Sequence, residues 1–106
     1  MALNILWHSN GPHTPTGYGN QTGTFLWRLK ALGHDLVASC FYGLAGSPLD
    51  MDGIKLLPAG FDNWGNDTIV ADATEFKRDI VITLMDVWVL ESRIMERVRW
   101  YPWVPI

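Results

Sequence analysis

Apolar and polar positions along this chain follow two different periods. Residues 4–8, Asn-Ile-Leu-Trp-His, form a short apolar run that predicts a buried strand. Residues 9–19 are rich in Gly, Pro and Thr and predict a loop. Phe25, Leu29 and Leu32 then repeat at helical spacing, with Thr22 one turn earlier, and predict a helix over 21–32 that packs on a sheet. Arg28 and Lys30 suit its carboxyl end, and Gly33 suits the left-handed position just beyond it.

The same alternation continues. Residues 35–41 and 54–57 read as a second and third strand, separated by a turn-rich stretch over 43–53 that contains Asp52-Gly53. Residues 58–65 read as a loop, with Asn63 or Asn66 placed to cap a helix carrying Ile69, Ala73 and Phe76 on one face. Residues 79–84 are continuous and β-branched, as parallel strands are, and 85–88 form the loop behind them. Leu90, Ile94 and Val98 predict a further helix, and a fifth strand is expected to begin at Trp103. Strands alternating with helices predict an α/β fold, Rossmann-like, with a mainly parallel sheet and flanking helices. Residues 1–106 read as a single domain. The apolar ending Val104-Pro105-Ile106, where a strand ought to continue, makes an incomplete one the expectation.

Composition narrows the range of partners. Nearly half of the 106 residues are hydrophobic, enough for a core without disulfides. The net charge is −3 with scattered basic residues, which argues against a nucleic-acid partner. No apolar run is long enough for a transmembrane segment. Cys40 is the only cysteine, which fits a reducing, cytoplasmic setting. His8, His13 and His34 lack ligand spacing, so no metal site is expected. No G-x-S-x-G elbow occurs that would make a serine nucleophile.

In an open α/β sheet, ligands bind beyond the carboxyl ends of the strands. The loops expected there, 9–20, 41–46, 58–65 and 85–88, carry a set of amides, hydroxyls, imidazoles and carboxylates suited to a polyhydroxylated ligand. A strand feeding a glycine-bearing loop and a helix start offers unpaired backbone N–H groups and the positive end of a helix dipole to an anion. Residues 17–22 nearly match the dinucleotide fingerprint G-x-G-x-x-G, with Thr22 at the last glycine. The preceding loop is too long for that turn, and the second strand ends Ser39-Cys40-Phe41 without a carboxylate for a ribose. Trp64 and Trp88 stand in loops after strands, where an aromatic face can stack on a sugar.

The order and spacing of these segments resemble the N-terminal half-domain of a family 4 glycosyltransferase of the GT-B fold. The residues that carry the resemblance are the first strand with its loop ending Pro15-Thr16-Gly17-Tyr18-Gly19, the segment Leu29-x-x-Leu32-Gly33-His34-Asp35-Leu36-Val37, and the strand Phe76-x-x-Asp79-Ile80-Val81-Ile82. The resemblance implies retaining transfer of a sugar from a nucleotide-sugar donor to a hydroxyl acceptor, with no essential metal and no cofactor beyond the donor itself. It places the donor-diphosphate contact at Gly17, Tyr18, Gly19, Asn20 and Gln21. Acceptor contacts would come from His8, Asn10, Thr16, Asp62, Asn63 and Trp88. Asp86 stands where the family often has a histidine and is the nearest candidate for a catalytic role. Its alternative role is to cap the helix that follows. The family's donor-binding basic pair and glutamate belong to a C-terminal domain absent from these 106 residues, so negligible turnover is expected of the chain alone. A nucleotide- or dinucleotide-binding module and a non-catalytic interaction domain are the rival readings.

Overall fold

The computed structural model describes residues 2–103. Six strands form one sheet: β1 (Asn4–Asn10), β2 (Asp35–Tyr42), β3 (Leu49–Met51), β4 (Ile54–Leu57), β5 (Ile80–Leu84) and β6 (Trp100–Trp103). Their order across the sheet is β3-β4-β2-β1-β5-β6, and every pairing is parallel except β3 with β4. Three helices flank the sheet: α1 (Gly17–Ala31), α2 (Ile69–Glu75) and the single turn α3 (Ser92–Met95). The α/β architecture and largely parallel sheet expected from the alternation are therefore present.

Strand pleating sorts the side chains. Ile5 and Trp7 of β1, with Leu36, Ala38 and Cys40 of β2, pack on the α1 side around Leu26. Leu6, Val37, Phe41 and Val81 face the opposite way, onto Ile69, Ala73 and Met95. Each core thus takes alternate residues of the same strands, as a period of two requires. The Trp7 indole N–H donates to the Thr22 hydroxyl at 3.0 Å, so the one polar atom of this buried ring is satisfied.

Local chemistry moves several boundaries. The helix expected over 21–32 begins at Gly17, because the Thr16 hydroxyl accepts from the Gly19 N–H and caps it there. The turn-rich stretch holds a hairpin, β3–β4, closed by Asp52 and Gly53 at φ of 46° and 84°. The expected helix over Leu90, Ile94 and Val98 contracts to α3, preceded by a 3₁₀ turn over Val87–Val89. The expected fifth strand starts at Trp100 rather than Trp103, and the part of that expectation on residues 104–106 lies outside the described residues. Neither Asn63 nor Asn66 caps α2; Thr68 stands at its cap without a side-chain bond.

The order of strands places a switch point between β1 and β5, where the chain has moved outward on one side and then restarts on the other. There the Ser9 hydroxyl donates to the Leu84 carbonyl at 2.7 Å and ties the two carboxyl ends together. A register shift between Ser9 and Asn10 marks a bulge, with Asn10 pairing Tyr42 just above it.

Candidate functional site

The four loops beyond the carboxyl ends are joined to one another by hydrogen bonds. The Gly11 N–H donates to the Tyr42 carbonyl at 2.9 Å, and His13 Nε2 bonds the Gly43 carbonyl at 2.7 Å. The Ala59 N–H donates to Leu44 at 3.0 Å, which links the loops over 41–46 and 58–65. Asn66 then reaches the turn after β5, donating from Nδ2 to the Val89 carbonyl at 3.0 Å and accepting the Glu91 N–H at 2.8 Å.

At the switch point, Asn10, Thr16, Tyr18 and Asp86 come together. Asn10 Nδ2 donates to the Thr16 hydroxyl at 2.8 Å. That same oxygen accepts the Gly19 N–H at 3.0 Å. The Tyr18 hydroxyl donates to Asp86 Oδ1 at 3.1 Å across the crevice. Desolvation raises the Tyr18 pKa, and the hydrogen bond to Asp86 and the charge of its carboxylate raise it further. Asp86 is therefore a tyrosine partner, and the cap position of α3 is held by Glu91.

The five residues expected to form a diphosphate loop lie in the first turn of α1. This placement redistributes their donors. The Gly19 N–H goes to the Thr16 side chain, and the Asn20 N–H goes to the Thr16 carbonyl at 2.8 Å. Gln21 is one residue deeper in the helix. The N–H groups of Gly17 and Tyr18 precede the first intrahelical bond and have no acceptor within the helix. Gly17 is exposed, and a Cβ there would meet nothing within 4 Å. At Gly19 a Cβ would run into the Thr14 and Gly11 carbonyl oxygens, so this glycine is needed for the turn itself.

His8 requires a correction. It was expected among the acceptor contacts, but it is fully buried on the α2 side of β1. Its Nε2–H donates to the Trp64 carbonyl at 2.8 Å, so Nδ1 accepts from the Ser39 hydroxyl at 2.9 Å. Phe41 lies over the ring at 5.2 Å, and Gly65 closes so near that a Cβ would overlap it. Burial lowers the His8 pKa to about 4, against weaker opposing effects of the Trp64 carbonyl and Asp62. A neutral, enclosed imidazole positions the loop over 58–65 rather than a ligand.

Asp62 is likewise turned inward. Its Oδ2 accepts from the Trp64 N–H at 2.9 Å, the Asn66 N–H at 3.0 Å and Asn66 Nδ2 at 3.1 Å. The Asn66 N–H contributes most to holding this carboxyl below the usual carboxylate range, with Trp64 and the Asn66 amide adding to it against some desolvation. Asp67 supports the same loop by accepting the Phe61 N–H at 2.7 Å. Asn63 is exposed, Trp64 is 43 % exposed and Trp88 is 75 % exposed.

Sequence reasoning did not find the cross-linking role of Asn66, Asp67 or Ser9. The density of Asp and Asn over 62–67 was the available signal, since these side chains favour bonds to nearby backbone. Clefts of about 600 Å³ lie between α2 and α3, of about 360 Å³ at the amino end of β5, and of about 210 Å³ beside Gly33. Among the described residues no group of three His, Cys, Asp or Glu side chains converges for a metal, and no helix is long and apolar enough to cross a membrane. No family model, curated protein or solved structure matches the chain.

Proposed function

We propose that this chain forms the acceptor-side half of a nucleotide-sugar-dependent, retaining glycosyltransferase, Rossmann-like in fold and working in the cytoplasm. The observation that carries the reading is the coincidence of the glycine-bearing β1–α1 turn with the switch point of the sheet. The N–H groups of Gly17 and Tyr18 are fixed donors at the positive end of a four-turn helix, and the open space above Gly17 admits a diphosphate to them. A departing nucleoside diphosphate gains negative charge, and donors already held in place stabilise it without reorganising.

Asn10, Thr16 and Asp86 then face the acceptor, with Asn63 and Trp88 at the rim. Asp86, hydrogen-bonded to Tyr18, orients an acceptor hydroxyl. A second domain or a partner chain holds the nucleotide. The resemblance in the β1–α1 and α1–β2 segments supports this reading beside the geometry.

Calorimetric titration with nucleoside diphosphates tests it against the nicotinamide alternative. Saturable binding that Gly17→Val weakens is the expected result. Saturable binding of reduced nicotinamide dinucleotide, with none of the diphosphates, would replace the transferase by a dinucleotide-binding module.

A further inference from the structure

The cleft of about 360 Å³ at the amino end of β5 is lined by Lys77, Arg78, Arg97 and Arg99, half of the eight Lys and Arg residues of a chain whose net charge is −3. Among the described residues Asp79 is the only carboxylate lining it, and one of its oxygens is occupied by the Asn4 N–H at 2.9 Å. Among the described residues Lys77, Arg97 and Arg99 have no carboxylate within ion-pair distance. Arg78 is different. Its side chain is only 9 % exposed, with Nε donating to the Phe76 carbonyl and Nη1 to Asp35. Its Nη2 has no acceptor among the described residues and stays open to solvent, available to a ligand in the cleft.

Lys77 supplies an independent observation. It stands just past α2 at φ 53°, and the bonds Lys77 N–H to Thr74 and Arg78 N–H to Ala73 close a helix end that ordinarily takes glycine. The equivalent position after α1 is Gly33, at φ 98°. A lysine therefore occupies a strained left-handed site where glycine would fit, and it does so on the rim of the cleft. Attraction of cations to helix carboxyl ends accounts for part of Lys77. It does not account for Arg97 and Arg99, since α3 has only four residues and a correspondingly small dipole.

We propose that this cleft binds a small phosphate-bearing anion of at least two negative charges, at the opposite end of the sheet from the switch point. A monocarboxylate would offset only one of the convergent cations, whereas a phosphomonoester or diphosphate offsets more and matches the guanidinium fork. The site does not depend on the transferase reading.

Inorganic pyrophosphate is the probe, titrated into the full chain by calorimetry and into ¹⁵N-labelled chain by NMR. The expected result is a saturable site that persists in Gly17→Val, is weakened by salt, and shifts the amides of residues 77–80 and 97–99. Arg97→Gln and Lys77→Gly should each weaken it about tenfold, while circular dichroism stays unchanged. A role for Lys77 in stability alone would leave affinity untouched by Lys77→Gly. Absence of saturable binding, binding indifferent to both substitutions, or shifts confined to residues 16–19 would overturn the proposal. Vesicles of phosphatidylcholine with phosphatidylglycerol form the second arm. Sedimentation with them that needs Lys77 and Arg97, without pyrophosphate binding, would reassign the cleft to lipid headgroups.

Discussion

Gly17 and Gly19 lie two residues apart in one helical turn, yet their surroundings give them opposite roles. Gly19 packs against the Thr14 and Gly11 carbonyls, so Gly19→Ala should destabilise the fold by about 2–3 kcal/mol in urea unfolding. Gly17 faces open space, so Gly17→Ala should change stability by less than about 0.5 kcal/mol. The sequence pattern brought both glycines into view but could not tell them apart, because the distinction lies in which carbonyls approach from the loop before them. A similar limit applies to His8. Its place at the end of an apolar strand was legible, but whether it faced a ligand or the loop over 58–65 depended on the fold of residues far along the chain. Burial also raises the Asp72 carboxyl to about 6, with the charges of Glu75 and Asp67 adding to it, and one of its oxygens is buried without a partner. His8 and Asp72 therefore oppose one another in acid. The depressed His8 pKa costs stability as pH falls from 6.5 towards 4, up to about 3 kcal/mol. The raised Asp72 pKa returns stability as pH falls from about 6 towards 3.8, by about 1–2 kcal/mol once its partial exposure to solvent is allowed for. Asp72→Asn should accordingly be the more stable protein at pH 7.5. It should also lose stability more steeply than the parent between pH 6.5 and 4, as urea titrations across that range would record.

At the scale of elements, hydrophobic spacing located what is buried more reliably than what is helical. Leu90, Ile94 and Val98 all pack into the core on the α2 side, as their spacing suggested, although only residues 92–95 between them are helical. One turn cannot hold itself together, since helix nucleation is costly. Its position comes instead from Asn66, which is 8 % exposed and bonds Asp62, Val89 and Glu91. Asn66→Ala should cost about 2–3 kcal/mol through unpaired buried groups and should speed hydrogen exchange at the Glu91 amide. The β3–β4 hairpin was also within reach of the sequence, since Asp52-Gly53 is a strong two-residue turn signal. It went unread because Leu49-Asp50-Met51 is too short and too polar to stand out as a strand. At the end of α2, Lys77→Gly should relieve the left-handed strain and stabilise the fold by about 0.5–1 kcal/mol, after allowing for the lost attraction to the helix end. Thermal unfolding would register the gain.

For the molecule as a whole, the parallel strands were legible because buried strands are continuous and apolar. The two ends of the sheet then acquire different character. The carboxyl end gathers amides, hydroxyls and exposed aromatics in the loops after the strands, while the amino end of β5 gathers four cations in a cleft. The cleft was not legible, because its basic residues are scattered in sequence and converge only when α2 and the β6 lead-in meet. The central claim concerns the first of these ends: that the β1–α1 turn receives the diphosphate of a nucleotide-sugar. The most direct measurement is the ¹⁵N spectrum of the full chain titrated with uridine and guanosine diphosphates. The expected result is saturable movement of the Gly17 and Tyr18 amides with at least one nucleotide, accompanied by residues 86–88 across the crevice and lost in Gly17→Val. Unmoved Gly17 and Tyr18 amides at saturating nucleotide, or shifts restricted to residues 77–80 and 97–99, would contradict it.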